Sequence, residues 1–333
     1  MRPRHEDAAE GMVVAVDRGR YTVDLGVSPR DGGRRREADA DGGRYPVRRR
    51  QIVAMRAREL GRRGTVVVGD RVAVVGDISG TPGSLARIVR VAERSSVLMR
   101  TADDDESSPE ARVERVVVAN ADQLVIVSSL ADPAPRTGFI DRCLVAAYDA
   151  DVEPLLCLTK ADLAAPDEVL AYYAILDLPY VLTRPDEPLD TLVDALRGHA
   201  SVFVGHSGVG KSTLVNRLIP DAGRAVGAVS AVGKGRHTSS SALALPLADG
   251  DGWIIDTPGV RSFGLAHVSA DSLLHGFPDL VEGSVDCPPN CEHTGTAGDC
   301  GLDKLVDAGL ADARRLASYR RLLASRRGET GFE

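Results

Sequence analysis

The chain has 333 residues, of which 43% are hydrophobic and 27% charged, and its net charge is −7. This length and composition predict a globular protein of two or three domains, and the low aromatic content of 4% argues against large stacking platforms. No apolar run could span a bilayer and no apolar signal core begins the chain, so we expect a cytoplasmic protein with no membrane partner. Three of the five cysteines cluster, which favours a metal site over disulfides.

Short apolar runs separated by glycine turns extend over residues 10–100, a pattern typical of a small β-barrel. We therefore expect an OB-type barrel at 1–100, interrupted by a basic insertion at about 29–63. Residues 30–63 hold twelve arginines and five acidic residues, although the whole chain is acidic. This local positive charge predicts contact with RNA, and the alternative is a solvated, mobile loop.

The polar and acidic segment at 101–112 predicts a linker between the barrel and the next domain. Beyond it, continuous apolar runs at 124–127 and 154–158 predict buried parallel strands, and the segment between them predicts a helix at 137–150. Strand and helix patterns continue to alternate further along the chain. This alternation predicts a doubly wound α/β domain at 113–268.

The most informative stretch is 201–213, where an apolar strand, a glycine-rich loop and a helical pattern follow one another. Its spacing, G-x-x-x-x-G-K-S, is typical of a loop whose backbone N–H groups surround phosphates. Lys211 would reach the outer phosphates and Ser212 would bind Mg²⁺, and a chance glycine turn is the alternative. The residues expected to bind the nucleotide here are Gly205, His206, Ser207, Gly208, Val209, Gly210, Lys211, Ser212 and Thr213.

A second motif, Thr159-Lys160-Ala161-Asp162, follows a predicted strand. The Asp162 carboxylate can accept two hydrogen bonds from guanine, whereas adenine offers a mismatched edge, so GTP or GDP is expected rather than ATP. Lys160 would cover the base with its alkyl stem. Thr159 replaces the asparagine that is usual in GTPases, and a hydroxyl makes fewer bonds than an amide. A helix cap is the alternative interpretation of this motif.

Two motifs downstream of the phosphate loop would complete a Mg²⁺ site. The hydroxyl-rich loop at 233–240 offers Thr238 as a switch residue that binds Mg²⁺, with Ser239 as the second choice. Asp256 and Gly259 belong to an Asp-Thr-Pro-Gly motif that follows a strand. We expect Asp256 to hold Mg²⁺ and the Gly259 amide to sense a γ-phosphate.

Val260 stands where many GTPases carry a glutamine that positions the attacking water. An apolar side chain cannot orient water, so we expect slow intrinsic hydrolysis and help from a partner or another side chain. The candidate catalytic residues are His237, Lys211 and Thr238. His237 lies beside Thr238 in the predicted switch loop, and the alternative is that it only packs or contacts RNA.

The C-terminal region, 269–333, predicts a helical zinc-binding domain. Three cysteines and one histidine fall within 14 residues, which suits a closed tetrahedral Zn²⁺ site, and free cysteines are the alternative. The predicted ligands are Cys287, Cys291, His293 and Cys300. An arginine-rich helical pattern at 310–327 predicts either a solvated face or a second contact with a polyanion.

The base motif precedes the phosphate loop, which reverses the order found in ordinary GTPases and indicates a circular permutation. Together the motifs Thr-Lys-Ala-Asp-Leu, Gly-His-Ser-Gly-Val-Gly-Lys-Ser-Thr, Gly-Arg-His-Thr, Asp-Thr-Pro-Gly-Val-Arg-Ser-Phe-Gly-Leu and Cys…Cys-x-His…Cys resemble the bacterial ribosome small subunit-dependent GTPase A family, also called RsgA or YjeQ. The resemblance covers nearly the whole chain.

The resemblance implies an OB-fold, a circularly permuted P-loop GTPase domain and a mainly α-helical zinc domain. It also implies a late step in maturation of the small ribosomal subunit, with contact to its rRNA and GTP hydrolysis stimulated by that particle. We expect a monomer. The rival interpretation is a non-catalytic RNA-binding module that keeps the nucleotide as a structural ligand, and a second enzyme interpretation, an ATPase, is disfavoured by Asp162.

Overall fold

The structure, a computed structural model, describes the chain in nine ranges separated by gaps. These ranges are 7–26, 50–60, 65–100, 115–220, 242–257, 263, 265, 267–295 and 299–327. The predicted linker and most of the basic insertion lie outside them. So do five residues of the predicted switch segments, which are His237, Thr238, Ser239, Gly259 and Val260.

The first five strands form a closed barrel, which confirms the interpretation of the N-terminal sequence. They are β1 (Ala9–Asp17), β2 (Arg20–Asp24), β3 (Gln51–Arg56), β4 (Arg71–Gly76) and β5 (Ala86–Val91). The strands pair in the order β1-β2-β3-β5-β4, and β4 pairs with β1 to close the ring. Aliphatic side chains that alternate along the strands fill the interior, such as Val13, Val23, Ile52, Val74 and Ile88.

A small antiparallel sheet joins the barrel to the α/β domain. It consists of β6 (Val97–Arg100) and β7 (Arg115–Ala119). Gly69 packs so closely beneath β7 that a Cβ atom there would lie 1.9 Å from the carbonyl oxygen of Ala119. Its φ of +89° is also one that a residue with a side chain rarely adopts. Glycine is therefore required where the barrel meets this sheet.

The α/β domain contains a parallel sheet with one antiparallel strand, as the strand–helix alternation predicts. Its strands are β8 (Gln123–Ser129), β9 (Glu153–Thr159), β10 (Tyr180–Leu182), β11 (Ala200–Val204), β12 (Leu243–Pro246) and β13 (Trp253–Asp256). They pair in the order β10-β9-β8-β11-β13-β12, and β12 is antiparallel to β13. All the parallel strands end at the same edge of the sheet, where nucleotide motifs are expected to meet.

Helices cover both faces of this sheet, so the domain is doubly wound. They are α1 (Thr137–Asp149), α2 (Asp167–Tyr173), α3 (Asp190–Leu196) and α4 (Lys211–Leu218). On one face, apolar residues of α3 and α4 pack against β8 and β11. On the other, α1 packs over β8 and β9 and shares its core with the C-terminal helices. The helix predicted at 137–150 is thus confirmed to within one residue.

One feature of the sheet has no signal in the sequence. Leu243 of β12 pairs with Ala15 of β1, so the barrel and the α/β domain share a single 11-stranded sheet. Met12 and Val14 of β1 accordingly lie in the same apolar core as residues of β8. The two domains are therefore joined through backbone pairing and through side-chain packing.

The C-terminal region is helical, as predicted. It contains α5 (Ala270–His275), α6 (Pro278–Ser284), α7 (Gly301–Asp307) and α8 (Ala313–Arg327). Phe277, Leu302 and Tyr319 are buried with residues of α1 in one continuous core. The domain boundary at residue 268 stays a prediction. In the part of the chain that the structure describes, no helix has the length and apolar character needed to cross a membrane.

The interpretation of the last helix as a solvated or polyanion-binding face is wrong for several of its arginines. Arg315 is only 2% exposed, and its guanidinium lies 3.0 Å from both Asp141 of α1 and Asp279 of α6. Arg320 donates to the carbonyl of His293 at 2.8 Å. These arginines fix α8 to its neighbours, because a buried guanidinium needs acceptors that water no longer supplies.

Candidate functional site

The glycine-rich loop between β11 and α4 has the backbone that a phosphate-binding loop requires. A Cβ atom on Gly205 would lie 2.6 Å from the carbonyl oxygen of Val127, so the loop turns hard against β8. Gly208 and Gly210 have φ values of +83° and +91°, which favour glycine. Val209 is buried and anchors the loop in the core. Backbone amides at the start of α4 then offer a site for anions.

The predicted phosphate lysine and the predicted Mg²⁺ ligand lie together at the end of the sheet. Lys211 begins α4, and its Nζ donates a hydrogen bond to the Asp256 carboxylate at the end of β13. Both side chains are mostly buried, at 15% and 25% exposure. Ser212 and Thr213 follow in the first turn of α4 and are exposed. A lysine, a hydroxyl and a carboxylate in this arrangement suit a phosphate with its magnesium ion.

The predicted base motif lies at the same edge, next to the phosphate loop. Thr159 ends β9 and is buried, and its hydroxyl donates to the carbonyl of Val209 at 2.6 Å. Lys160 has a left-handed backbone with φ of +57°, which turns the chain out of the sheet. Asp162 follows in the turn and is exposed to solvent. The structure thus brings the two motifs together, although Thr159 and Val209 are 50 positions apart in the chain.

A loop that the sequence interpretation missed follows β8 and lies against both motifs. The Nζ of Lys160 donates to the carbonyl of Asp132, and the Ser129 hydroxyl donates to the carbonyl of Pro133 at 2.6 Å. A Cβ atom on Gly208 would lie 3.5 Å from the Cδ of Pro133. The sequence signal that could have located this loop is a proline-containing segment directly after a buried strand, at the edge where parallel strands end.

His206 of the phosphate loop packs on the aromatic ring of Phe139, with ring centroids 4.2 Å apart. Partial burial lowers the pKa of His206, and the nearby Arg136 guanidinium lowers it further. The imidazole is therefore held neutral over a wider pH range than a free histidine. This contact fixes one side of the loop to the first turn of α1.

The segment 181–184 lies beside the base motif. The Thr183 amide donates to the carbonyl of Leu158 at 2.8 Å, and the carbonyl of Thr183 accepts from the Ala161 amide at 3.2 Å. The chain leaving β10 therefore runs along the turn that carries Asp162. Its position is compatible with contact to a base held by that turn.

The four predicted zinc ligands converge in the C-terminal region, with their ligand atoms all within 4.8 Å of one another. The Sγ atoms of Cys287 and Cys300 lie 3.9 Å apart, and the Nδ1 of His293 lies 3.4 Å and 3.7 Å from them. Two sulfur ligands about 2.3 Å from a tetrahedral zinc ion would lie roughly 3.8 Å apart. The separations therefore fit a Cys₃His zinc site, completed by Cys291.

The surroundings of this cluster favour a neutral histidine but disfavour ionised thiols unless a cation is bound. Burial lowers the pKa of His293, as does the nearby Arg320, so its ring is neutral and can coordinate. Burial raises the pKa of the Cys287 thiol to about 11. The Gly301 amide donates to the Cys287 sulfur at 3.2 Å and would stabilise a thiolate. A cation bound among the sulfurs would stabilise their thiolate form.

Comparison with known proteins identifies the family. The sequence profile of the RsgA GTPase family matches residues 91–266, which is more than half of the chain. The chain belongs to the RsgA GTPase family. A curated RsgA relative from Ectopseudomonas mendocina, called small ribosomal subunit biogenesis GTPase RsgA, is 40% identical over 272 residues, covering 78% of this chain and 75% of the relative. An RsgA from Chlorobaculum parvum is 36% identical over 78% of this chain and 85% of its own length.

Solved structures of RsgA-like proteins share the fold over nearly the whole chain. A crystal structure of YjeQ from Thermotoga maritima superposes with a TM-score of 0.66 at 24% identity, covering 96% of this chain and 99% of that one. The structure of YloQ, described as a circularly permuted GTPase, gives a TM-score of 0.64 at 22% identity over the full length of both chains. In the sequence itself Thr159 precedes Gly205, which is the order on which the predicted permutation rests.

Proposed function

We propose that this protein is a GTPase that binds the small ribosomal subunit and acts late in its maturation, hydrolysing GTP to GDP and phosphate. The observation that carries the proposal is the meeting of three motifs at one edge of the sheet. Lys211 contacts Asp256, and Thr159 contacts Val209 of the same phosphate loop. The names of the curated relatives supply the ribosomal partner.

In this proposal the base is selected by Asp162, whose carboxylate accepts hydrogen bonds from the ring N–H and amino group of guanine. Lys160 covers the base, and its Nζ is held by the carbonyl of Asp132. Thr159 supports the site by holding the phosphate loop rather than by contacting the base, because its only hydroxyl donates to the Val209 carbonyl. A site that pairs its polar groups with guanine leaves them unpaired with adenine, which costs binding energy.

The triphosphate would lie along 205–213, with Lys211 on the outer phosphates and backbone amides around them. Ser212, Thr238 and Asp256 are the residues that would hold Mg²⁺, which neutralises charge on the phosphates when bound. On nucleotide binding Lys211 exchanges its bond to Asp256 for a phosphate oxygen. The Asp256 carboxylate would then be available to hold Mg²⁺.

His237 is our candidate for positioning the attacking water, since Val260 replaces the usual glutamine. A bound subunit would bring His237 to the γ-phosphate, which would couple hydrolysis to arrival on the ribosome. The alternative is that His237 packs or contacts RNA. The two roles predict different turnover for His237→Ala in the presence of subunits. Full stimulated turnover in this variant would contradict the catalytic role. His275→Ala, which changes an exposed histidine, serves as the control.

The remaining parts of the chain are proposed to recognise the particle. The barrel at 1–100 and its basic insertion would contact rRNA through arginines and phosphates. The zinc domain at 269–333 would hold Zn²⁺ as a structural ion, since four protein ligands leave no open position for chemistry. A factor that works on the small subunit would act in the cytoplasm, and we expect it as a monomer.

Competition between GTP and ATP tests the central claim. A fluorescent GDP analogue is displaced by either nucleotide, with and without purified small subunits, and released phosphate is measured in parallel. GTP should displace it at a concentration at least about a hundredfold lower than ATP. Equal displacement would overturn the role of Asp162. Binding without repeated turnover in the presence of subunits would favour the non-catalytic module.

Lys211→Ala tests the phosphate loop in the same assay. Loss of a charge that contacts the transferred phosphoryl group should lower stimulated turnover by at least about a hundredfold. Lys304→Ala, an exposed lysine on α7, is the matched control and should behave as wild type. Normal turnover in the Lys211 variant would overturn the assignment of the loop.

A further inference from the structure

An arginine near the end of α4 makes contacts that no nucleotide motif accounts for. The Nη1 of Arg217 donates to the carbonyl of Arg184 at 2.9 Å, and its Nη2 donates to the carbonyl of Glu187. Both acceptors belong to the segment that follows β10. One guanidinium thus holds two points of a loop that is about 30 residues away in sequence.

The held segment, 183–187, lies directly against the proposed base-binding turn. The Thr183 carbonyl accepts from the Ala161 amide at 3.2 Å, and the Nε of Arg184 approaches the carbonyl of Ala161 at 3.4 Å. Ala161 is the residue before Asp162. A shift of this segment would therefore move the backbone that orients the Asp162 carboxylate.

Thr183 is fixed at the start of this segment, because it is buried and its backbone is bonded to Leu158 and Ala161, whereas residues 184–187 are held more weakly. The segment is an irregular stretch between β10 and α3, and Arg184 and Glu187 are paired with each other at 2.8 Å through largely exposed side chains. Such a pair contributes little stability, because water screens it. Bonds from a guanidinium to two carbonyls are stronger and directional, since the planar fork matches both acceptors at once.

The helix that carries Arg217 is the one that begins at the phosphate loop. Lys211 lies at its first residue and Arg217 in its last turn, and its apolar residues are buried against the sheet. Arg217 therefore fixes the segment 183–187 to the helix that begins at the phosphate loop. Lysine could not replace it, because an ammonium group on a flexible stem lacks the fixed fork.

We propose that Arg217 is a positioning residue for guanine selection, which fixes the segment 183–187 against the Asp162 turn. The inference rests on the proposed function, since it assumes that Asp162 reads guanine. It predicts that loss of the guanidinium weakens binding of the base while leaving the contacts to the phosphates intact.

The test measures dissociation constants for GDP and ADP by displacement of a fluorescent GDP analogue, in wild type, Arg217→Met and Arg217→Lys. Methionine keeps helix propensity and length without donors. We expect the GDP constant to rise about tenfold in Arg217→Met and the ADP constant by less than about twofold, since two charge-assisted bonds are lost. The GDP dissociation constant of Arg217→Lys should lie between those of wild type and Arg217→Met. KM for GTP should rise while kcat at saturating GTP changes less than about twofold.

Two further variants separate this role from a general effect of charge. Glu187→Gln keeps the carbonyl that Arg217 binds, so its GDP constant should stay within about twofold of wild type. Arg197→Met removes an exposed arginine paired with Asp194 and Asp249 far from the site, and it should change neither constant. Hydrogen exchange of peptides covering 180–188 should speed up in Arg217→Met and not in Arg197→Met.

The outcomes are distinct. If wild type does not prefer GDP to ADP, the proposed function fails and the inference fails with it. If wild type prefers GDP and Arg217→Met keeps the same ratio, only the inference is overturned. A parallel rise in both constants also overturns it, because that result assigns Arg217 to the phosphate-binding helix alone. If Arg217→Met does not fold, the ratio in Arg217→Lys decides by the same criteria.

Discussion

The Thr159 hydroxyl donates a 2.6 Å hydrogen bond to the carbonyl of Val209, inside the protein and away from water. The bond joins the end of β9 to the middle of the phosphate loop. Because both partners are buried, neither has an alternative partner in solvent. The turn that carries Asp162 and the loop proposed to bind phosphate are therefore fixed relative to each other in the nucleotide-free protein.

Thr159→Val tests how much this hydrogen bond contributes to stability and to GDP affinity. Valine has nearly the shape of threonine but leaves the Val209 carbonyl buried without a donor. We expect the free energy of unfolding to fall by about 1–3 kcal/mol, and GDP affinity to fall several-fold as the loop loosens. Urea unfolding and GDP titration measure the two effects. Thr159→Ser keeps the hydroxyl and should retain most of the stability and most of the GDP affinity. Equal losses of stability and affinity in the two variants would contradict the prediction.

The buried arginine of α8 gives a second prediction. Arg315→Met leaves Asp141 and Asp279 without their cation, and burial already raises the pKa of Asp141. We expect the free energy of unfolding to fall by about 3–5 kcal/mol, measured by urea denaturation.

The neighbouring Arg314 is the control for this measurement, because it is exposed and pairs with Asp312 at the surface. Arg314→Met should unfold at nearly the wild-type urea concentration. Similar unfolding midpoints for the two variants would show that Arg315 does not hold α8 in place.

Zinc binding is tested by Cys300→Ser. Wild type should carry about one zinc ion per chain, and loss of one ligand should release most of it and lower the temperature of unfolding. Metal content is read by atomic absorption. Cys143→Ala is the matched control, since Cys143 is a buried cysteine of α1 outside the cluster and should leave the zinc content unchanged. Full zinc in Cys300→Ser would exclude Cys300 as a ligand.

The lowered pKa of His206 predicts how stability depends on pH. Its pKa lies below the ordinary value of 6.5 in the folded protein because of burial and the nearby Arg136. As pH falls through 6.5, the unfolded chain takes up a proton before the folded protein does, so stability is lost between that pH and the lowered pKa. The nucleotide-free His206→Gln variant should lose less stability than wild type between about pH 7.5 and 5.5.

Urea denaturation at several pH values measures this difference between the two proteins. Identical pH dependence in both would mean that the imidazole is not shielded by Phe139 as the structure has it.

The sequence predicted well those features that are set by residue type at short spacing. The glycines of 205–210 and the Cys₃His cluster of 287–300 form patterns that few other arrangements share, so the sequence alone predicted that each set would converge. The buried strands were equally clear, because β8 is apolar on both faces.

Other contacts had no such signal. Arg217 binds carbonyl groups, which every residue carries, so nothing in the sequence marks its partners. Arg315 lies in an arginine-rich helix, where periodicity cannot tell a buried cation from a solvated one, and its acidic partners are distant in sequence. The pairing of Ala15 with Leu243 likewise depends on how two domains meet.

That last pairing gives the molecule a mechanical property. β12 directly follows the stretch in which we place Thr238, and it is hydrogen-bonded on one side to β13 and on the other to the barrel. A force that a bound particle applies to the barrel would thus reach β12 through the pairing of Ala15 with Leu243. Movement of the N-terminal domain would then be transmitted through β12 to the segment proposed to carry the switch residue Thr238.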